Sequence, residues 1–324
     1  MLIVQKFGGS SVADTEGIRR VARIISDTRA RGDTPVAVLS AAGDTSDILI
    51  EKAYAISASP PGRELDALLS TGELHSVSLM AMQLNELGFD SVSLSGRQAG
   101  IRTDRQHGKA KITGIDGTRI RREIQNGRIV IVAGFQGIAE NDDVTTLGRG
   151  GSDTTATALA AALGAERCEI YTDVDGIYTA DPRLVPDAKK LDAIDYEDML
   201  LLARHGSQVL QERSVETAQT GNAELVLLSS FEKKPGTVVK KLDADARPGL
   251  CGVTRDREKN SVSIVGRDAD AKVLTAAVYL LREEGIPVLS AELKKGICSV
   301  TVPPEKLIAA LKALHRPVLR HLSP

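Results

Sequence analysis

The chain has 324 residues, 42% hydrophobic and 26% charged, enough for roughly two globular domains. Its 41 Lys and Arg against 43 Asp and Glu leave no basic field to hold a nucleic acid, and 3% aromatics with no Trp leave few rings for stacking bases or sugars. Apolar runs such as residues 129–133 fall far short of the roughly 18 residues a spanning helix needs, so no membrane partner is expected.

The first residues, M-L-I-V-Q-K-F-G-G, read as a strand running into a turn. They carry no basic region, long apolar stretch or small-residue cleavage site, and a cytoplasmic protein is the expectation. A helical pattern over 15–29 follows the strand begun at 2–4. Residues 36–39 form a second strand, with a helix near 47–57. Further strands are expected at 91–94, 129–133 and 168–171, and a helix over 152–163 with an Asp/Thr-rich start and an Ala-rich body. This alternation predicts an α/β fold, an open and mostly parallel sheet with helices on both faces. Near 230–250 the pattern changes. E-K-K-P-G at 232–236 and D-A-D-A-R-P-G at 243–249 read as turn and linker. Beyond them come a strand (261–265), a helix (272–284), two strands (287–293 and 297–302), a helix (305–315) and a last strand (317–322). That order is βαββαβ, the ferredoxin-like layout. Cys168, Cys251 and Cys298 are odd in number and far apart, and buried reduced thiols are expected.

Three loops carry residues suited to anions. Residues 6–12, K-F-G-G-S-S-V, end the first strand, where two glycines let backbone N–H groups approach an anion and Lys6 adds a positive charge. The spacing is not that of a P-loop. Residues 147–155, L-G-R-G-G-S-D-T-T, open a helix, whose free N–H groups attract a negative ligand and where Arg149 can grip a carboxylate in two places. Residues 171–183, Y-T-D-V-D-G-I-Y-T-A-D-P-R, follow another strand. Each loop alone could also be a turn, a helix cap or a polar loop; all three in one α/β unit fit a nucleotide and an acidic substrate.

These segments together resemble the aspartate kinases of the amino acid kinase superfamily. The matching stretches are residues 6–12, 40–47 (S-A-A-G-D-T-S-D), 69–73 (L-S-T-G-E), 94–104 (L-S-G-R-Q-A-G-I-R-T-D), 132–137 (V-A-G-F-Q-G), 145–155 and 169–183. They keep the family's order and spacing across residues 1 to about 240, and the tail resembles the family's ACT regulatory module. The resemblance implies a catalytic domain over 1–240, a linker with a leftover ACT strand over 241–260, and one ACT-like domain over 261–324. It implies transfer of the ATP γ-phosphoryl group, with Mg²⁺, to the side-chain carboxylate of L-aspartate, the first step toward lysine, threonine and methionine. A homodimer, paired through the tail, is also implied.

Carried over by motif, the catalytic residues are Lys6, which neutralises the transferred phosphoryl, and Asp153, which orients it. Lys6, Phe7, Gly8, Gly9, Ser10, Thr172, Asp173, Tyr178, Asp181 and Arg183 are the nucleotide-binding set. Ser40, Thr45, Glu73, Phe135, Arg149, Gly150, Gly151 and Ser152 are the substrate-binding set, with Thr45 and Glu73 at the amino-acid end of aspartate and Arg149 on a carboxylate. No side chain is assigned to the metal. The chain departs from the family at 206–214, G-S-Q-V-L-Q-E-R-S for the usual G-A-K-V-L-H-P-R-S. There Gln208 removes a phosphate-contacting Lys, and Gln211 and Glu212 replace His-Pro. Leu228 stands where Arg commonly precedes S-S-F. The tail supplies one complete module, lacks the Pro-Gly of the effector loop at 266–271, and reads G-I-P for G-I-N at 285–287. Weakened ATP binding and weak or absent feedback control are therefore expected. Two alternatives stay open, a non-catalytic partner with an ACT-like module and a kinase for another small carboxylate.

Overall fold

A computed structural model describes residues 1–321, with side chains through residue 318. In chain order the elements begin with β1 (Leu2–Phe7), α1 (Thr15–Ala30), β2 (Thr34–Leu39), α2 (Thr45–Ile56), α3 (Gly62–Glu86), β3 (Ser91–Leu94), β4 (Ile101–Thr103) and β5 (Ile112–Ile115). They continue with α4 (Thr118–Gln125), β6 (Ile129–Ala133), β7 (Gln136–Ile138), β8 (Val144–Thr146), α5 (Gly151–Leu163), β9 (Arg167–Thr172), β10 (Ala193–Asp195), α6 (Tyr196–Arg204) and α7 (Glu212–Gly221). The last are β11 (Glu224–Ser229), β12 (Thr237–Lys240), β13 (Gly252–Asp256), β14 (Ser261–Val265), α8 (Ala271–Glu283), β15 (Ser290–Lys294), β16 (Ile297–Thr301) and α9 (Leu307–His321). The chain gathers into two compact units, one of Met1–Asp175 with Thr217–Pro235, the other of Gly176–Glu216 with the residues from Gly236 onward.

In the first unit the strands lie in the order β11–β9–β1–β2–β6–β3, each neighbouring pair parallel. The expected parallel α/β sheet is present. Residues 129–133 read I-V-I-V-A without alternation because β6 is buried on both faces. Side chains alternate across the other strands too, which sorts them between two helix layers. Phe7, Leu39 and Ile131 face α1 and α3, packing on Ile18, Val21, Ala22 and Ile25 and on Val77, Met80 and Leu84. The four α1 residues recur at i, i+3, i+4 and i+7, one apolar stripe, and Asp14 caps that helix by accepting from the Gly17 N–H. Lys6 points the other way, toward α5, which lies against β1, β2 and β9. A smaller sheet, β5–β4–β7–β8, joins two antiparallel hairpins through a parallel β4–β7 contact and delivers the chain to the start of α5.

In the second unit β10 pairs with β12 in parallel. Its larger sheet is antiparallel, in the order β13–β14–β16–β15. Val253, Val262, Ile264 and Val300 of that sheet pack on Ala277 and Leu281 of α8 and on Leu311 and Leu314 of α9. One expectation is corrected here. Residues 317–321 are the end of α9, not a strand, and Leu322 lies outside the described residues. The reason is twofold. In the ferredoxin-like order the final strand would lie beside β14, but β13 already holds that edge, with Val253 opposite Ile264. Leu307, Ala310, Leu311, Leu314 and Val318 also keep helical spacing and are all buried, so the apolar stripe carries the helix through Pro317. The strand expected at 287–293 is shifted to Ser290–Lys294.

The three cysteines are buried and free, as expected. Burial raises the thiol pKa of each, which keeps them protonated. No helix among the described residues is long and apolar enough to cross a membrane.

Candidate active site

The carboxyl ends of β1, β2 and β9 lie side by side, so the loops that follow them are neighbours. After β1, Gly8 is extended and residues Gly9–Val12 make a single 3-10 turn. A Cβ on Gly9 would stand 2.8 Å from the Ala41 carbonyl oxygen, so only glycine lets this loop lie on the loop after β2. The Gly43 N–H donates to the Gly9 carbonyl at 3.0 Å, and the Ser40 N–H to the Phe7 carbonyl at 3.1 Å. Ser10 is exposed at the turn. The Phe7 ring faces α1, stacked on Tyr171 at 4.7 Å, so only the Phe7 backbone belongs to the loop.

Lys6 Nζ lies 2.6 Å from Asp153 Oδ1, and both side chains are 11% exposed. The approach is not aligned as a hydrogen bond, which leaves Oδ1 able to accept from a further donor. Asp153 stands in the first turn of α5, where N–H groups have no acceptor within the helix and the dipole favours an anion. Gly150 enters that helix in the left-handed region at φ 69, a conformation glycine takes without steric cost. Arg149 beside it is exposed and makes no ion pair among the described residues. Ser152 packs against Gly134 at the end of β6. Phe135 also holds a positive φ of 66, costly for an aromatic residue. It is pinned by its N–H to Thr155 Oγ1 at 3.1 Å and by the Leu147 N–H to its carbonyl at 2.8 Å.

Glu73 sits on the α3 face turned toward the β2 loop and is 2% exposed. Its Oε1 accepts from the Ala41 N–H at 3.1 Å, while Oε2 is buried without a partner. Burial pushes this carboxyl up to about 7, the Ala41 N–H opposing it. Thr45, at the start of α2, donates its hydroxyl to the Ala42 carbonyl at 2.5 Å. The structure thus brings Gly9, Glu73 and Thr45 against the loop after β2 that begins at Ser40, and Lys6 onto Asp153.

Thr172 and Asp173 close β9, with Thr172 Oγ1 donating to Asp173 Oδ1 at 2.9 Å and the Gly8 N–H reaching the Tyr171 carbonyl at 3.4 Å. Tyr178, Asp181 and Arg183 belong to the second unit. There Arg183 holds both oxygens of Asp181 at 3.0 Å, and its guanidinium keeps that carboxyl below the usual carboxylate range. Gln208, Gln211 and Glu212 are also in the second unit, where Glu212 pairs with Arg204 at 2.6 Å.

Two supports were missed in the sequence. Ser11 Oγ and Ser230 Oγ meet at 2.8 Å, tying the loop after β1 to the end of β11. Asp66, 1% exposed, accepts from Thr146 Oγ1 at 2.5 Å and the Gly108 N–H at 3.0 Å, and contacts His107 Nδ1 at 2.8 Å. Neither carried a signal in the sequence, since Asp66 lies in a segment with no expected element and paired serines have no local pattern.

Residues 1–229 match the amino acid kinase family. An aspartokinase of Mycolicibacterium smegmatis is 51% identical over 269 residues, 82% of this chain and 64% of that protein. An aspartokinase of Geobacillus stearothermophilus is 47% identical over 288 residues, 89% of this chain and 71% of that protein. The chain thus spans less than two thirds of the mycobacterial relative's length. Among solved structures, aspartate kinase from Synechocystis superposes with a TM-score of 0.69 at 29% identity, covering 100% of this chain and 70% of that one. E. coli aspartokinase III in complex with aspartate and ADP gives a TM-score of 0.70 at 26% identity, covering 97% and 84%.

Proposed function

The chain belongs to the amino acid kinase family, and on that premise we propose that it transfers the γ-phosphoryl group of ATP to the side-chain carboxylate of L-aspartate. The observation that carries this reading is the Lys6–Asp153 pair, set between a glycine turn and a helix N-terminus. A side-chain carboxylate, with an ordinary pKa near 4, is ionised at neutral pH and needs no general base. The obstacle is repulsion between that anion and the triphosphate, so catalysis is positioning and charge neutralisation. One carboxylate oxygen bonds to the γ-phosphorus as the bond from phosphorus to the β-γ bridging oxygen breaks, giving 4-phospho-L-aspartate and ADP. Lys6 follows the charge that builds on the phosphoryl oxygens, and Asp153 holds Lys6 in line.

Substrate recognition follows from the other groups. Glu73 Oε2, buried and without a donor, suits the ammonium of aspartate. Arg149, without an ion pair among the described residues, suits its α-carboxylate. Gly9, Ser10 and the start of α5 offer N–H groups to phosphates, while the Gly8 N–H is turned to the Tyr171 carbonyl. Mg²⁺ takes hard oxygen donors and commonly one or two carboxylates beside phosphates and water. Asp153 and Asp173 are carboxylates of that type, and the metal would supply neutralisation of phosphate charge.

The module boundaries at 240 and 260 and the pathway role toward lysine, threonine and methionine belong to the same reading. So does a homodimer formed through the tail, where β15 is an edge strand exposed along its whole length and can add to a second copy. Feedback is weak, and millimolar lysine or threonine should inhibit by less than half. Product identity tests the reaction. With ATP, Mg²⁺ and aspartate, hydroxylamine should trap an acyl phosphate as the hydroxamate; ATP consumption without a trapped product would overturn the reading.

A further inference from the structure

A second pocket lies on the face of the first unit's sheet opposite Lys6. Side chains alternate along β1, so Gln5 and Phe7 face α1 while Lys6 meets Asp153 on α5. Between α1 and the end of β11 is a cavity of about 510 Å³, within the range that takes a small organic ligand. One wall is a stripe of α1 carrying Arg20, Arg23 and Asp27, continued by Arg31 just past its end, and the other is residues 228–234.

The charges in this cavity do not cancel. Lys233 pairs with Asp27 at 3.5 Å and Lys234 with Glu232 at 2.5 Å. Arg20, Arg23 and Arg31 have no carboxylate partner among the described residues. Arg31 Nη2 donates to Thr28 Oγ1 at 3.2 Å, and Arg20 Nη2 to the Ser11 carbonyl at 3.2 Å, while Arg20 Nε is buried without an acceptor. Three guanidinium groups along one wall suit a dianion with several oxygens. Beside the hydroxyls of Thr28, Ser229 and Ser230 the lining has an apolar part. Ile24, Tyr171 and Leu228 line the cavity, and Phe231, 49% exposed, stands under the Arg20 guanidinium at 4.3 Å.

We propose that this cavity binds a small molecule joining a flat ring to a phosphate group, separately from phosphoryl transfer. The phosphate meets Arg23 and Arg31, and the ring stacks beside Phe231 and Leu228. The wall is also tied to the phosphate loop, through Arg20 to the Ser11 carbonyl and Ser230 to the Ser11 hydroxyl.

Calorimetry with phenyl phosphate on the full chain tests this, with ADP and aspartate saturating so that the transfer site is filled. One bound equivalent is expected. Inorganic phosphate and phenol should each bind at least about tenfold more weakly, since each keeps half of the contacts. Arg23→Glu reverses an exposed charge and leaves the core untouched. It should weaken phenyl phosphate at least about tenfold with unchanged ADP affinity. Leu228→Trp, which fills the cavity, should abolish binding. No heat at millimolar phenyl phosphate, loss of binding whenever ADP is present, or equal affinity for inorganic phosphate would overturn the proposal. Unchanged affinity in the Arg23→Glu variant would do the same.

Discussion

Ionisation of Glu73 should set how tightly the acceptor amino acid binds. The carboxyl is 2% exposed, has one N–H donor on Oε1 and none on Oε2, and burial raises it to about 7. A protonated Glu73 cannot pair with an ammonium ion, so only the ionised fraction is competent. With a pKa of about 7, that fraction is roughly 10% at pH 6 and roughly 90% at pH 8, so the apparent affinity for aspartate should rise about tenfold over this interval. The assay is the KM for aspartate at pH 6, 7 and 8 with saturating ATP. Glu73→Gln should raise that KM, flatten its pH dependence, and leave the KM for ATP within about twofold. The stability effect has a definite sign. Folding raises this carboxyl from 4.5 to about 7, so the folded chain holds its proton more tightly than the unfolded one. Glu73 therefore costs stability progressively as pH rises through that window, and Glu73→Gln should gain on the parent chain between pH 5 and pH 8. A flat parent profile for aspartate, or a Gln variant with the same tenfold slope, would refute the reasoning.

Lys6→Ala should lower kcat by at least about 100-fold, because it removes a preorganised charge from the transferred group; near-normal turnover in steady-state assays would exclude that role. Arg149→Lys should raise the KM for aspartate well beyond any change for ATP, as a point charge cannot replace a two-pronged grip, and equal effects on both would count against it. Arg247 holds both oxygens of the fully buried Asp198 at 2.8 and 2.7 Å, yet burial still raises that carboxyl above its ordinary value. Arg247→Ala strands it, and urea unfolding should show a loss of about 3–5 kcal/mol.

The parallel sheet could be read from the chain because its strands, such as 36–39 and 129–133, are continuous apolar runs fully covered on both sides. Helix α3 escaped notice for the opposite reason. Its second half carries an apolar stripe at Val77, Met80, Ala81 and Leu84, but the buried positions of its first half include Asp66, Ser70, Gly72 and Glu73, which break the pattern over the helix as a whole. Asp66, Glu73 and Ser76 are buried with hydrogen-bond partners, Thr146 and Gly108, Ala41, and the Gly72 carbonyl respectively. Short strands such as β4, β7 and β8 were equally hidden, since a run such as Gln136–Ile138 has too few residues for a period to show. The end of the last helix was not legible because Pro317 sits inside α9, where burial of Val318 in the packed core outweighs the cost of a helical proline. In the candidate site, glycine and charge spacing pointed to the loop after β1 and the α5 entry, which the structure brings together through Lys6 and Asp153. The strain at Phe135 and the Ser11–Ser230 bond depend on segments far apart in the chain, and local pattern does not reveal them.

The most direct measurement is ADP release by the purified chain with ATP, Mg²⁺ and aspartate, beside glutamate and acetylglutamate. Release that depends on aspartate, is at least about 100-fold faster than with either alternative, and is lost in Lys6→Ala is the predicted result. Equal release with glutamate or acetylglutamate, or none with aspartate at any pH from 6 to 8, would contradict it.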